Sequence, residues 1–229
     1  MGIADNLASV HTRIASAAHA CGRDPGDIRL LAVSKMQSPQ RVLEAAIAGQ
    51  RDFGENYLQE ALDKQIAVAN PALIWHFIGP IQSNKTRAIA EHFAWVHSVD
   101  RIKIAQRLSD QRPIHLPALN ICIEINISGE ASKSGIAPPA LPAFARQVAG
   151  LPRLKLRGLM AIPAPSVDVQ QQRRTFARVR ELFETLNQQG LALDTLSMGM
   201  SDDMEAAIAE GATIVRIGTA IFGARPPLI

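Results

Sequence analysis

The chain has 229 residues, of which 47% are hydrophobic, 20% charged and 4% aromatic. These are ordinary globular values, and they exclude collagen, coiled coil and wholesale disorder. The net charge is +3, with basic residues scattered among acidic ones; without a basic stripe, a nucleic-acid partner is not expected.

Ile3, Leu7, Val10 and Ile14 recur at helical spacing, and Ala17, Ala18 and Cys21 continue the stripe. An amphipathic helix therefore opens the chain within 1–22. Gly22 and the turn Asp24-Pro25-Gly26-Asp27 end it. From there strands and helices alternate. Strands are predicted over 28–35, 52–56, 74–79, 95–99, 119–127, 154–162, 196–200 and 213–222. Helices are predicted over 38–49, 57–70, 83–93, 101–111, 138–150, 167–190 and 204–211, with the helix after the eighth strand short or missing. Strict alternation implies a parallel sheet, and eight units favour a closed (β/α)8 TIM barrel over an open doubly wound sheet. No G-x-G-x-x-G follows the first strand, which argues against a dinucleotide site. Nothing marks a domain boundary. Residues 1–229 are expected to form one barrel domain, with the stretches 137–139 and 163–167 as internal linkers and 225–229 as a frayed tail.

Cys21 and Cys122 form no CxxC, no metal spacing and no disulfide framework, which fits a reducing compartment. The first residues contain Asp5 and no long apolar core, and no apolar run is long enough to span a membrane. The expectation is a cytoplasmic protein with no membrane partner. The histidines show no metal spacing, so no metal is expected.

In a barrel, chemistry gathers at the C-terminal ends of the strands. Polar residues predicted there are Lys35, Glu55, Asn56, Gln82, Asn84, Lys85, Ser98, Asn126, the run 197–201, Arg216 and Thr219, with Gly79 and Gly218. Lys35 ends an apolar strand. Partial burial would lower its pKa and make it a nucleophile towards carbonyls, although a snorkelling lysine is the plainer reading. Ser201 is expected to cap the helix opened by Asp202-Asp203. Gly218 and Thr219 offer a backbone N–H and a hydroxyl after strand eight, and the loops after strands seven and eight are the usual barrel phosphate site. Arg216, in an apolar strand, needs either a buried salt bridge, with Glu124 a candidate, or a ligand. A guanidinium stays protonated and would keep a facing ring nitrogen unprotonated. An imine lysine, a phosphate cradle and an arginine for a pyridine nitrogen are what pyridoxal 5'-phosphate requires. His76 reads as a satisfied core histidine, Glu55 and Asn56 as ligand contacts or helix caps, Lys133 as solvated, and Met198 and Met200 as barrel packing.

The runs LLAVSK, AGQRDFGENYLQE, WHFIGPIQSNK, INISGEASKSG, LRGLMAIP and LSMGMSDDMEAAIAEGATIVRIGTAIFG resemble the signature segments of the pyridoxal phosphate homeostasis proteins, in order over nearly the whole chain. The resemblance implies a fold-type-III barrel like the N-terminal domain of alanine racemase. It implies pyridoxal phosphate as an aldimine on Lys35, phosphate contacts around Ser201, Gly218 and Thr219, Arg216 near the pyridine nitrogen, and Asn56 lining the cofactor. It implies a monomeric carrier or regulator of the cofactor, not an enzyme, with pyridoxal-phosphate-dependent apoenzymes as acceptors. One departure stands out. Many relatives carry a second lysine shortly after the first, but here the segment is Lys35-Met36-Gln37-Ser38. Lys133 matches a lysine implicated in some relatives. The alternative is an amino-acid racemase of the same fold type, which needs an acid or base on each cofactor face. The sequence holds one tyrosine, Tyr57, and seven residues after Phe222, too few for a second domain.

Overall fold

The opening helix folds because its apolar stripe has a surface to cover. α1 (Ile3–Ala20) buries Ile3, Leu7, Val10, Ile14 and Ala18. Burying four large aliphatic side chains contributes on the order of 6–12 kcal/mol before chain entropy is counted. The computed structural model describes residues 2–130 and 134–223; Lys133 and the tail 225–229 lie outside them.

Eight parallel strands follow: β1 (Arg29–Val33), β2 (Asp52–Glu55), β3 (Ile74–Phe77), β4 (Trp95–Val99), β5 (Leu119–Ile125), β6 (Leu154–Ala161), β7 (Thr195–Ser197) and β8 (Ile214–Ile217). They close into a barrel in chain order, with β8 pairing back onto β1 through Leu31 opposite Arg216. The helices between them are α2 (Pro39–Ile47), α3 (Leu58–Val68), α4 (Thr86–His92), α5 (Ile102–Gln111), α6 (Leu141–Ala149), α7 (Val169–Gln188) and α8 (Met204–Ala209). The expected (β/α)8 barrel is thus the observed fold, a single domain with an added N-terminal helix.

Two apolar layers hold it. The larger lies between the strands and the helices and takes in α1. The smaller fills the barrel interior with Leu31, Trp95, Cys122, Met160 and Ile214. Burial pushes the Cys122 thiol up to about 12, so it behaves as an apolar side chain there.

Most predicted boundaries lie within two residues of those observed, and strand one ends at Val33 rather than Lys35; two strands differ by more. Strand seven was expected to reach residue 200 but stops at Ser197. Gly199 adopts φ +96, and a Cβ there would lie 2.6 Å from that of Ala207, so the chain turns where only glycine fits. Strand eight was expected to reach residue 222 but stops at Ile217, and α9 (Thr219–Phe222) follows. Gly218 O accepts from Ile221 N and Phe222 N at 3.0 and 2.9 Å. A continuous apolar run cannot by itself distinguish a strand from a buried helical turn.

Candidate functional site

Past the C-terminal ends of β1, β7 and β8 opens a cavity of about 280 Å3. Lys35, Asn56, Ser201, Arg216, Gly218 and Thr219 all line it. These are the six residues singled out from the sequence. The structure brings them to one place from β1, β2, β7 and β8 and the loops that follow.

Lys35 stands two residues beyond β1, in a turn whose next residue, Met36, is left-handed at φ 61. That conformation is unfavourable for a residue with a side chain, and neighbours hold it. Met36 N–H donates to the Glu60 carboxylate, and Gln37 N–H donates to Ser34 O at 3.0 Å. From α3, Lys64 Nζ donates to Ser34 O at 2.6 Å and to Glu55 Oε1 at 2.8 Å. The turn that presents Lys35 is therefore tied to β2 and α3.

Asn56 follows β2 directly. Its Oδ1 is buried with no hydrogen-bond partner, which is costly unless a ligand supplies a donor. Gly79 explains its placement. A Cβ at that position would lie 2.2 Å from Asn56 O, so only glycine lets the chain after β3 pass so close.

Ser201 lies in the loop after β7 and Gly218–Thr219 at the start of α9, and α1 braces both. Arg13 Nη2 donates to Ser201 O at 3.0 Å while pairing with Glu205 at 2.8 Å, and Asn6 Nδ2 donates to Ile221 O at 2.8 Å. Ser201 does not cap the next helix, as was expected. Asp203 occupies that position, and its Oδ1 accepts from Met200 N at 2.6 Å, closing a turn with Ser201 inside it. The hydroxyl is thereby left for the cavity.

Arg216 points into the barrel and is 4% exposed. It makes no salt bridge with Glu124. Its Nη1 donates to Ser197 O and Ser197 Oγ, and its Nη2 donates to Ala161 O at 2.9 Å. Three of five N–H protons are spent, which leaves Nε and one Nη2 proton for whatever occupies the cavity. Burial lowers its pKa to about 10, partly offset by Asp203 and Glu124, so the group stays charged at neutral pH.

Other predicted positions are not in the cavity lining. Glu55 is buried against Lys64 and Ser34, Ser98 Oγ donates to Gly79 O, and Asn126 Nδ2 donates to Glu130 O at 2.7 Å. His76 is the satisfied core histidine it was expected to be, bonded to Asp52 and His97. Met200 was expected to pack in the barrel with Met198. Met198 is buried, but in the layer between strands and helices, and the turn after Gly199 swings Met200 outward, to 38% exposed on the cavity wall. The lining also includes Gln37, Ile78 and Ile162, which sequence reasoning missed. Alternation from Met160 would have put Ile162 on the same side; nothing in the sequence marks Gln37. Among the described residues, no cluster of His, Cys, Asp or Glu could hold a metal ion.

The set offers an amine, an unpaired amide oxygen, a charged donor with protons to spare, and a hydroxyl and glycine backbone at a turn. It suits a ligand with a carbonyl, a ring acceptor and an anionic group.

Comparison with known proteins agrees with this chemistry. Residues 6–226 match the family model described as alanine racemase, N-terminal domain. The chain is 66% identical over 223 residues to a pyridoxal phosphate homeostasis protein of Pseudomonas aeruginosa, covering 97% of this chain and 96% of the relative. It is 56% identical over 228 residues to the pyridoxal phosphate homeostasis protein of Escherichia coli K12, covering 97% of each. Among solved structures it is similar to PipY of Synechococcus elongatus with pyridoxal phosphate bound, with a TM-score of 0.86 and 38% identity over 96% of this chain and 100% of that one. An alanine racemase of Clostridium difficile shares the fold, with a TM-score of 0.75 at 15% identity, and this chain covers 57% of it.

Proposed function

The chain belongs to the pyridoxal phosphate homeostasis protein family, and on that premise we propose that it binds pyridoxal phosphate reversibly and buffers it or hands it on to apoenzymes. The observation that carries this is the single cavity in which Lys35, Asn56, Ser201, Arg216, Gly218 and Thr219 meet. Lys35 supplies the amine that takes the aldehyde as an aldimine. Ser201 and the backbone of Gly218 and Thr219 hold the phosphate, and Arg216 donates to the ring nitrogen. The unpartnered Oδ1 of Asn56 meets a donor of the bound ligand.

A carrier fits better than a racemase. Racemisation needs a second acid or base facing Lys35. The one tyrosine, Tyr57, is 53% exposed and is not part of the cavity lining. An unprotonated ring nitrogen is a weak electron sink, which disfavours carbanion chemistries other than racemisation.

The test is to titrate the protein with pyridoxal phosphate, follow the visible absorption band, and then add L- and D-alanine. The expected result is a saturable band with no change of chirality and no keto acid. Turnover orders of magnitude above the free cofactor, lost in Lys35→Ala, would replace the carrier with the racemase.

A further inference from the structure

Below Arg216 the barrel interior is not wholly apolar. An unbroken line of hydrogen bonds runs from Arg216 to the opposite end of the barrel, through residues of five strands. Arg216 Nη1 lies 2.9 Å from Ser197 Oγ, which is 2.8 Å from His97 Nδ1. His97 Nε2 is 2.9 Å from His76 Nδ1, and His76 Nε2 is 3.0 Å from Asp52 Oδ1. Ser197, His97 and His76 are completely buried. Asp52 reaches the rim, where Arg29 lies 3.3 Å away.

The two ends fix the direction of the terminal bonds, and the charge state of the two rings fixes the rest. Asp52 can only accept, so His76 donates from Nε2. Arg216 can only donate, so Ser197 Oγ accepts from it. If both imidazoles are neutral, His76 Nδ1 is an acceptor, and His97 must donate to it from Nε2. His97 Nδ1 is then an acceptor, and the Ser197 hydroxyl proton must point at it. The alternative puts an extra proton on His76 and reverses the middle of the chain. Full burial disfavours that charge on either ring; at His76 it outweighs the opposing pull of Asp52, and at His97 His76, Arg216 and Arg29 add to the penalty. Beside Trp95, whose ring stacks on His76 at 5.5 Å, the apolar neighbours offer no other partner for a proton.

We propose that Ser197, His97 and His76 are positioning residues for Arg216, forming a one-way donor chain ending on Asp52 that holds the guanidinium in one rotamer with its Nε–Nη2 edge towards the cavity. The role given to that edge rests on the cofactor reading above; the chain itself does not. Ser197 is the link that matters most, because its oxygen accepts from Arg216 while its proton goes to His97. Without that hydroxyl, Arg216 keeps two backbone carbonyls but loses the bond that selects its tilt.

The test has two readouts. In the ligand-free protein, nitrogen-15 NMR of the imidazoles at neutral pH should show His76 and His97 both neutral and both protonated on Nε2. In the loaded protein, Ser197→Ala should weaken pyridoxal phosphate binding roughly tenfold and shift the visible band, and Ser197→Thr, which restores a hydroxyl, should reverse both effects. An imidazolium at either position, or an Nδ1-protonated ring, overturns the chain. Correct ring states with an unchanged band and affinity in Ser197→Ala overturn the positioning role. A wild-type protein that forms no visible band overturns the cofactor reading instead, and with it the role of the Arg216 edge.

Discussion

Lys64 Nζ sits 2.8 Å from Glu55 Oε1, with the lysine side chain 3% exposed and the glutamate fully buried. The same amine reaches Ser34 O and Glu60, so one cation ties together the strand end before Lys35 and the turn after it. Burial raises the pKa of Glu55 and Lys64 opposes that rise, so the pair stands or falls together. Lys64→Ala would leave a buried carboxyl without its partner. The expected loss is roughly 3–5 kcal/mol of unfolding free energy, measured by chemical denaturation. The double variant Lys64→Met, Glu55→Leu should recover most of it; a double variant as unstable as the single would mean that the pair holds more than itself.

Glu124 makes stability depend on pH. Burial, with a further push from the Asp100 carboxylate and an opposing pull from Arg216, moves its pKa from 4.5 to about 7. A carboxyl whose folded pKa lies above its unfolded one is protonated more readily in the fold. Its contribution is therefore fully present below about pH 4.5 and lost as pH rises to about 7. Glu124→Gln abolishes that titration. In the ligand-free protein the variant should gain on the parent across this window, by up to about 3 kcal/mol, and hold the gain above it. Denaturation curves on either side of the window check this; a pH-independent difference would contradict the assignment.

On the proposed reading, Ser201→Ala removes one hydrogen bond to a charged phosphate. The expected cost is about 1.5–3 kcal/mol, or roughly ten- to a hundredfold in affinity for pyridoxal phosphate. Gly218→Val should cost at least as much, because a Cβ there already lies 3.2 Å from Val33 O and the branch must go towards the ligand or into β1. Fluorescence titration of both variants decides, and unchanged affinity in both would move the phosphate elsewhere.

Much of this molecule was legible in the sequence because its signals are local. Apolar strands such as 119–127, and helices opened by Ser38-Pro39 or closed by Gly49, announce themselves by period and punctuation. Barrel topology, which sends strand ends to one rim, put the six cavity residues among the candidates, and the family resemblance singled out Asn56. What stayed hidden depends on partners distant in sequence. Glu60, four residues before Lys64, reads as an ordinary surface pair, and the partners that accompany its burial, Ser34 and Glu55, come from just after β1 and from β2. Ser197, His97, His76 and Asp52 lie on four strands, and only closure of the barrel aligns them. The turn from Gly199 to Asp203 was misread because a serine before two aspartates fits a helix cap equally well.

The identity of the residue that takes the cofactor aldehyde is the most direct test of the account. The protein is loaded with pyridoxal phosphate, reduced with borohydride, digested, and its peptides mapped by mass spectrometry. The account predicts the pyridoxyl group on Lys35 and its loss in Lys35→Ala. A pyridoxyl group on Lys85, Lys133 or Lys64, with Lys35 unmodified, would contradict it.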